Sequence, residues 1–250
     1  MNFSRYTLPL SAIHTLFKQF INLKTYNMRR SFIFLLPLAC FMVIVFLSSC
    51  SKDEEETGGQ ANILFVHGYT FGKNSTLVIN DSVIVALTAG YGNFTQYQLV
   101  NSGSNAVKVR DNTLDSIIHQ SSLNFKKDVY YSIFMANNGQ VPKLIAEEDD
   151  LGIPDATKTY VRLINLCPNG DNMQLNLTGG ATVVSGVAIN SASDFIALDP
   201  GKLNFTIVGA NSLLSSITNF SMLAGKKYSI LMTGFVGQTP KATHNIIVNK

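Results

Sequence analysis

The chain has 250 residues, of which 46% are hydrophobic and 14% are charged, and this length allows one or two globular domains. Its formal net charge of +3 is misleading, because residues 1–49 hold five of the 19 basic side chains and none of the 16 acidic ones. Residues 50–250 therefore carry 14 basic and 16 acidic groups, a net charge of −2. Since a nucleic-acid partner requires clustered Lys and Arg to replace counterions, we expect no nucleic-acid binding.

Residues 1–49 have the composition of a secretory signal peptide. The pair Arg29-Arg30 precedes the apolar run 31–47, and small residues follow that run. A basic region, an apolar segment and small residues before a cut are the parts of such a signal. The alternative is an uncleaved transmembrane anchor. However, the run is at the short end of what spans a bilayer, and Pro37 interrupts it.

The translation start is ambiguous between Met1 and Met28. A start at Met28 would place Arg29-Arg30 at the opening of the signal peptide, as in an ordinary basic region. Residues 1–27 are then an upstream extension; the alternative is a long, unusual leader. Either start gives the same mature chain.

The apolar run ends in Leu47-Ser48-Ser49-Cys50, which resembles a bacterial lipobox. The resemblance implies a diacylglycerol group on the sulfur of Cys50 and cleavage directly before it, so that lipid on Cys50 attaches the mature protein to a membrane. Of the other cysteines, Cys40 leaves with the signal peptide and Cys167 remains alone. We therefore expect no intramolecular disulfide in the mature chain.

A polar tether, residues 50–60, follows the cleavage site. It is rich in charge and glycine and cannot bury enough apolar area to offset its ordering entropy, so we expect it to be flexible. A lysine and two acids, Lys52, Asp53 and Glu54, come almost directly after the cysteine. This arrangement resembles the surface-export signal of Bacteroidetes lipoproteins, which implies an outer-membrane protein facing the cell surface. The alternative is a charged linker that carries no address.

The rest of the chain repeats itself at an offset of 98 residues, so that Ile63 corresponds to Val161. The most similar stretches are Gly-Gln-Val-Pro-Lys at 139–143 and Gly-Gln-Thr-Pro-Lys at 237–241. Shared spacing over a domain length indicates internal duplication.

The duplication predicts two homologous domains, 61–146 and 159–250, joined by a linker at 147–158. The linker opens with four consecutive acids, 147–150, and continues with glycine and proline, which favours a solvated connector. A calcium site is the alternative. Calcium loops place their ligands at alternate positions, whereas these acids are contiguous, so we assign no metal to them.

Apolar and polar residues alternate within each repeat, as in 107–110 of the first and 174–178 and 203–207 of the second, and turn residues such as Asp199-Pro200-Gly201 separate the runs. Alternation is typical of strands with one face on a core and the other in water. Many short strands in about 90 residues predict an all-β fold, with two tandem immunoglobulin-like β-sandwich domains. The lack of Trp and of paired cysteines excludes an antibody-type domain.

The second repeat opens with Tyr-Val-Arg-Leu-Ile-Asn-Leu-Cys-Pro-Asn-Gly-Asp at 160–171, followed by Leu-Asn-Leu at 175–177. These residues resemble the opening of a DUF4397 domain, and 198–205 is similar to a strand entry of that family. His67 stands where the family has a histidine, whereas the second repeat has Asn165 there. The resemblance covers both repeats and implies a bacterial cell-envelope module of unestablished role, so it assigns no functional residue.

The histidines and the remaining cysteine are isolated candidates for chemistry. His67 could be a general base or a ligand, but no His or Cys stands beside it at ligand spacing, which favours a structural role. His119 and His244 lie in polar surroundings and are expected at the surface. Cys167 is either a reactive thiol or a small apolar filler, and the filler is favoured.

No catalytic motif is recognisable in the mature chain. No serine lies in a Gly-x-Ser-x-Gly turn, and no glycine-rich phosphate loop opens a helix. The acids that would have to converge for glycoside chemistry all stand in predicted turns, where Asp is favoured for backbone reasons. These acids are Asp81, Asp111, Asp115, Asp171, Asp194 and Asp199. We therefore predict no catalytic, cofactor-binding or metal site.

Five aromatic residues concentrate in the first repeat, at Tyr69, Phe71, Tyr91, Phe94 and Tyr97. Exposed, they could stack on sugar rings; buried, they belong to a core, which we favour, with Tyr91 and Phe94 expected to be the most exposed. The leading hypothesis is a non-catalytic surface lipoprotein that binds or adheres to an extracellular polysaccharide or protein. The alternatives are a structural spacer or envelope assembly component and, remotely, a hydrolase.

Overall fold

The computed structural model describes residues 58–209 and 212–249. They belong to one compact unit, Glu55–Lys250. The signal peptide, Cys50 and the export residues Lys52, Asp53 and Glu54 lie outside the described residues, so those assignments stay predictions. No helix within the two described ranges has the length and apolar character needed to cross a membrane.

The described part of the first repeat forms eight strands: β1 (Gln60–His67), β2 (Asn74–Ile79), β3 (Ser82–Gly90), β4 (Gln98–Asn101), β5 (Gly103–Asp111), β6 (Ser116–Phe125), β7 (Tyr130–Asn138) and β8 (Val141–Glu148). They make two four-stranded sheets, with strand orders β4-β1-β7-β8 and β3-β2-β5-β6. Strands β1 and β7 pair in parallel, and the other neighbours pair antiparallel.

The described part of the second repeat forms nine strands: β9 (Thr159–Asn165), β10 (Met173–Leu177), β11 (Thr182–Val187), β12 (Ser191–Ala192), β13 (Ile196–Leu198), β14 (Gly201–Gly209), β15 (Ser212–Met222), β16 (Lys227–Thr233) and β17 (Thr243–Val248). One sheet has the order β12-β9-β16-β17, with β13 also pairing with β9, and the other has the order β11-β10-β14-β15. The prediction of an all-β, sandwich-like fold is confirmed.

Each repeat encloses its own apolar core between its two sheets. In β5 the buried residues Val107 and Val109 alternate with more exposed ones, and in β14 Phe205 and Ile207 do the same. This is the alternation expected of strands with one face on a core and one in water.

Strands β1, β7, β9 and β16 depart from that pattern because they are buried on both faces. Residues such as Ile63 and Phe65 point into the core of the first repeat, whereas Leu64 and Val66 belong to a third apolar cluster. That cluster joins Leu64, Val66, Phe134 and Ala136 of the first repeat to Ile164, Leu166, Leu231 and Ile247 of the second. The two repeats thus pack sheet against sheet, and we call this contact the seam.

Close backbone approach and direct hydrogen bonds join the repeats along the seam. A Cβ atom on Gly68 would lie 2.4 Å from Leu166 Cδ1, so a glycine permits this approach. The side chains of Asn190 and Asn245 in the second repeat donate to the backbone carbonyls of Asn137 and Gly92 in the first, at 2.8 and 2.7 Å.

The sequence predicts a solvated connector at the acidic run 147–150, but the structure shows only part of this run to be solvated. Glu147 and Glu148 are the last residues of β8, and the side chain of Asp149 is fully buried. Asp150 and Glu148, with side chains that are 82% and 51% exposed, are solvated as expected. Asp149 is buried because it pairs across the seam with a buried cation of the second repeat, Arg162.

Candidate functional site in the seam

A buried ion pair crosses the seam between Asp149 and Arg162. The Nη2 group of Arg162 donates to Asp149 Oδ1 at 2.5 Å. The side chain of Asp149 is fully buried, and that of Arg162 is 4% exposed. The second oxygen of Asp149 accepts from the hydroxyls of Tyr97 and Ser132, both at 2.7 Å. A buried carboxylate is tolerated when it is paired and hydrogen-bonded in this way.

The hydrogen bonds continue from Arg162 back to Tyr97 and close a ring. Arg162 Nε donates to Ser229 Oγ at 2.6 Å, and Ser229 donates to Asn249 Oδ1 at 2.6 Å. Asn249 Nδ2 then donates to the Tyr97 hydroxyl at 3.1 Å. We call Tyr97, Ser132, Asp149, Arg162, Ser229 and Asn249 the seam network. The first repeat supplies Tyr97 and Ser132, the residue directly after β8 is Asp149, and the second repeat supplies the other three.

Burial, together with the neighbouring charge of Asp149, raises the pKa of Tyr97. Its phenol therefore remains a neutral donor to Asp149 at physiological pH. A buried, hydrogen-bonded polar network specifies one packing arrangement, because a shift of one repeat on the other would leave more of its polar groups without partners. The seam network thus aligns the two repeats.

A cavity of about 280 Å³ opens beside the network, walled by the end of β8, the linker that follows it and the second repeat. Arg162 and Lys227 line it together with the aromatic rings of Tyr160 and Phe195. The guanidinium carbon of Arg162 and Nζ of Lys227 each lie 4.6 Å from the centre of the Phe195 ring, within the range of a cation–π contact. Phe195 therefore holds both cations at the cavity wall.

Lys227 is almost fully buried and receives its counter-charge from the linker. Its Nζ donates to the backbone carbonyl of Asp150 at 2.5 Å and lies 3.6 Å from the Asp150 carboxylate. In the first repeat the corresponding position is Tyr130, which packs edge-on against Tyr97 at 5.1 Å. The two repeats have thus diverged: the first presents paired tyrosines where the second presents a cation over an aromatic ring.

Carboxylates outnumber cations in the cavity wall. The wall contains Glu147, Glu148, Asp150 and Asp194 against the two cations. Glu148 forms an ion pair with Lys126 at 2.6 Å, outside the cavity lining. No hydrogen bond or ion pair within the described residues engages the carboxylates of Glu147 and Asp194. The cavity is therefore polar and net acidic, with a cationic patch at its wall.

His67, the histidine that we predicted to be structural, is fully buried at the end of β1. Its Nε2 lies 3.2 Å from Ser75 Oγ, and burial lowers its pKa to about 4. A neutral histidine without access to solvent cannot exchange protons with a substrate, so the structural interpretation agrees with the geometry.

His119 and His244 are half-buried, which differs from the surface position that we expected. The hydroxyl of Ser215 lies 2.6 Å from His244 Nδ1. A nucleophilic serine also requires a third group that orients the base. No acid among the described residues bonds to the ring of His244, so this pair provides no triad.

Cys167 is fully buried in the core of the second repeat, and burial raises the pKa of its thiol to about 12. The thiol is therefore protonated and inaccessible, and the interpretation of Cys167 as an apolar filler is confirmed. Within the two described ranges, no group of three or more His, Cys, Asp and Glu residues could hold a metal ion.

The aromatic residues of the first repeat are distributed differently from our expectation. Tyr91 and Phe94, which we expected to be the most exposed, are half-buried, and Phe94 packs against the apolar cluster of the seam. Phe71 is the exposed one, at 53%; its ring lies 5.6 Å from Tyr69 and 6.3 Å from Phe235 of the second repeat. Local sequence does not reveal these positions, because they depend on the packing of one repeat on the other.

Solved structures with similar folds are only distantly similar to this chain. A family 26 carbohydrate-binding module from Eubacterium rectale, in complex with maltoheptaose, is 16% identical, has a TM-score of 0.26 and aligns over 74% of this chain and 96% of its own. A candidate cell adhesion protein from Bacteroides fragilis is 5% identical, has a TM-score of 0.21 and aligns over 77% and 97%. A leucine-rich repeat protein from Bacteroides thetaiotaomicron is 11% identical, has a TM-score of 0.17 and aligns over 71% and 25%. Likenesses this weak support no functional argument.

No curated protein sequence matches the chain. A family model does match: the domain of unknown function DUF4397 matches residues 61–176, which comprise the first repeat and the opening strands of the second. The chain is therefore similar to DUF4397 domains over the part that contains β1 to β9 and most of β10.

Proposed function

We propose that this protein is a lipid-anchored component of the cell envelope that binds an extracellular ligand without converting it. The ligand is a polysaccharide or a protein, and one exposed group of that ligand enters the seam cavity. The lipid on Cys50 holds the protein on the outer membrane, and the tether 50–60 separates the folded unit from the bilayer. Lys52, Asp53 and Glu54 direct it to the cell surface.

The observation that carries this proposal is a concave site with charged and aromatic side chains at a junction of two repeats. Ligand sites are concave and concentrate a few convergent polar groups, and junctions between domains are favoured positions for them. Here the polar groups are Arg162, Glu147 and Asp194, and the seam network holds Arg162 in place.

A role as a simple spacer fits the seam less well. A stalk gains length when its modules lie end to end, whereas these repeats pack sheet against sheet over a shared apolar cluster. Side-by-side packing shortens the molecule and creates a cavity. Binding therefore accounts for more of the architecture than spacing does.

The binding site is tested with the unit 55–250 on an array of glycans and envelope peptides. Asp194→Ala removes an exposed carboxylate from the cavity wall, and Asp171→Ala removes an exposed carboxylate that does not line the cavity. We expect the first variant to lose the array signal and the second to retain it. Equal signals from both variants would move the binding site away from the seam.

The lipid anchor is tested by Cys50→Ala in growing cells. This variant should accumulate as an uncleaved precursor and incorporate no labelled fatty acid, because the sulfur is the acceptor of the lipid. Normal cleavage and labelling would exclude the proposed anchor.

Surface exposure is tested by adding protease to intact cells. The folded unit should be removed from the wild type and protected in a variant in which Lys52, Asp53 and Glu54 are all alanine. Protection of the wild type would instead indicate that the protein faces the periplasm.

A further inference from the structure

The guanidinium of Arg162 has unused hydrogen-bond donors at the cavity. Arginine carries five N–H donors. Nε donates to Ser229, and Nη2 donates to Asp149 and, at 3.4 Å, to Ser132. The other terminal nitrogen, Nη1, carries two N–H groups that have no hydrogen-bond partner among the described residues. Because Arg162 is only 3% exposed and lines the cavity, an acceptor within the cavity would satisfy them.

Unused acceptors face the same space. The carboxylates of Glu147 and Asp194 line the cavity, and neither accepts a hydrogen bond within the described parts of the chain. A ligand that fits must therefore accept from Arg162 and donate to carboxylates. A hydroxyl group does both, because it has one donor and two acceptor sites.

Charge limits the ligand further. The four carboxylates of the wall exceed its two cations by two negative charges, so an anionic ligand is repelled. A simple ammonium ligand could donate to Glu147 and Asp194 but offers nothing to Arg162. A neutral molecule with neighbouring hydroxyls has no such conflict.

The size of the cavity suits a ligand of about one ring. About 280 Å³ is at the lower end of the volumes of small-molecule pockets. We infer that the seam cavity binds a single neutral sugar unit. Its adjacent hydroxyls accept from Nη1 of Arg162 and donate to the carboxylates of Glu147 and Asp194. This inference rests on the proposed binding function and specifies its ligand. Phe195 acts as a positioning residue, since its ring supports the guanidinium.

The test measures binding of small glycosides to the unit 55–250 by saturation-transfer NMR and calorimetry. The probes are neutral methyl hexopyranosides, their uronic acid counterparts and their deoxy analogues, with a simple amine and a zwitterionic amino acid for comparison. We expect binding of at least one neutral hexopyranoside, at least tenfold weaker binding of its uronic acid and of the analogue that lacks one of two adjacent hydroxyls, and no binding of the amine.

Variants connect binding to the cavity. Asp194→Ala should weaken the glycoside at least tenfold, and Asp171→Ala should leave it unchanged. Arg162→Lys keeps the positive charge but removes the N–H donors of Nη1. This variant should also weaken binding, provided that its melting temperature shows it to be folded. Because Asp194 is exposed and outside the seam network, its variant tests the inference even if Arg162→Lys fails to fold.

Two results would overturn the inference in distinguishable ways. If the amine, the amino acid or the uronic acid binds in an Asp194-dependent manner and neutral glycosides do not, the sugar is wrong while the proposed binding function survives. If no probe binds and the array gives no Asp194-dependent signal, both fail. Comparing a free glycoside with a polymer of the same unit shows whether the bound unit is a free sugar or part of a chain. A one-ring cavity admits free or terminal units and excludes internal ones.

Discussion

Replacing Arg162 by leucine removes the cation of the seam network and puts a shorter, apolar side chain in its place. Leucine is also the residue at the corresponding position of the first repeat, Leu64, which lies in the apolar cluster of the seam. Asp149 would then remain fully buried without a counter-charge, retaining only the hydrogen bonds from Tyr97 and Ser132. Breaking a buried ion pair by removing one partner costs about 3–5 kcal/mol.

In thermal terms this loss is large. For a unit of this size about 1 kcal/mol shifts Tm by roughly 2–4 °C, so Arg162→Leu should lower Tm by about 10 °C. Calorimetry and circular dichroism of the unit 55–250 measure it, with urea titrations for the free energy of unfolding.

The double variant Arg162→Leu with Asp149→Asn provides the control. Asparagine keeps an acceptor oxygen for Tyr97 and Ser132 but carries no charge, and it matches Asn249, the residue in the corresponding place of the second repeat. We expect the double variant to be more stable than Arg162→Leu alone, with a coupling energy of about 2 kcal/mol in the double-mutant cycle.

Three results would refute this reasoning. The first is a Tm for Arg162→Leu within about 2 °C of the wild type, which would mean that the pair is relaxed or hydrated. The second is an additive cycle. The third is two separate thermal transitions in the wild type, since the shared cluster and network predict that both repeats unfold together.

Three further predictions concern buried groups and turns. Burial lowers the pKa of His67 from 6.5 to about 4, so between these pH values the unfolded chain binds a proton that the native chain does not. The free energy of unfolding should therefore be at its full value above about pH 6.5 and fall by up to about 3 kcal/mol towards pH 4. Urea titrations at several pH values should show this dependence, and a flat profile, or the same profile in His67→Asn, would contradict it. The thiol of Cys167 should react with Ellman's reagent only in denaturant, because it is fully buried; rapid reaction of the native protein would contradict the packing. Gly234→Ala should lower Tm more than Gly237→Ala, because both glycines have positive φ but only the Cβ at position 234 would meet a backbone oxygen, that of Lys241, at 2.4 Å; equal melting temperatures would exclude this clash.

The predicted strands depended on periodicity, and they succeeded where one face of a strand meets water. In β5 Val107 and Val109, and in β14 Phe205 and Ile207, stand at alternate positions, and both strands form with these residues in a core. The two repeats have the same sheet pairing, including the parallel pairs β1–β7 and β9–β16, and the sequence repeats itself at an offset of 98 residues. Alternation and duplication are local or repeated features, so a sequence displays them directly.

The seam was missed because its evidence is not local. The segment 160–166 is apolar on both faces except for Arg162 and Asn165, a pattern typical of a strand covered on both sides, yet nothing near it in the chain indicates what covers it. The acidic run 147–150 likewise has the composition of a solvated loop, because the cation that keeps Asp149 buried belongs to the other repeat.

The sequence by itself determined the all-β class and the apolar filler Cys167. It also displays the internal duplication and the lipobox-like run before Cys50, and the lipid site stays a prediction. Each of these depends on side-chain chemistry or spacing within one segment. The tertiary structure decided which strands are buried twice, that Asp149 is paired rather than hydrated, and that Arg162, Glu147 and Asp194 surround one cavity. The reason is that a side chain's environment in this protein depends on the packing of one repeat against the other, and that packing brings together surfaces that are far apart in the chain.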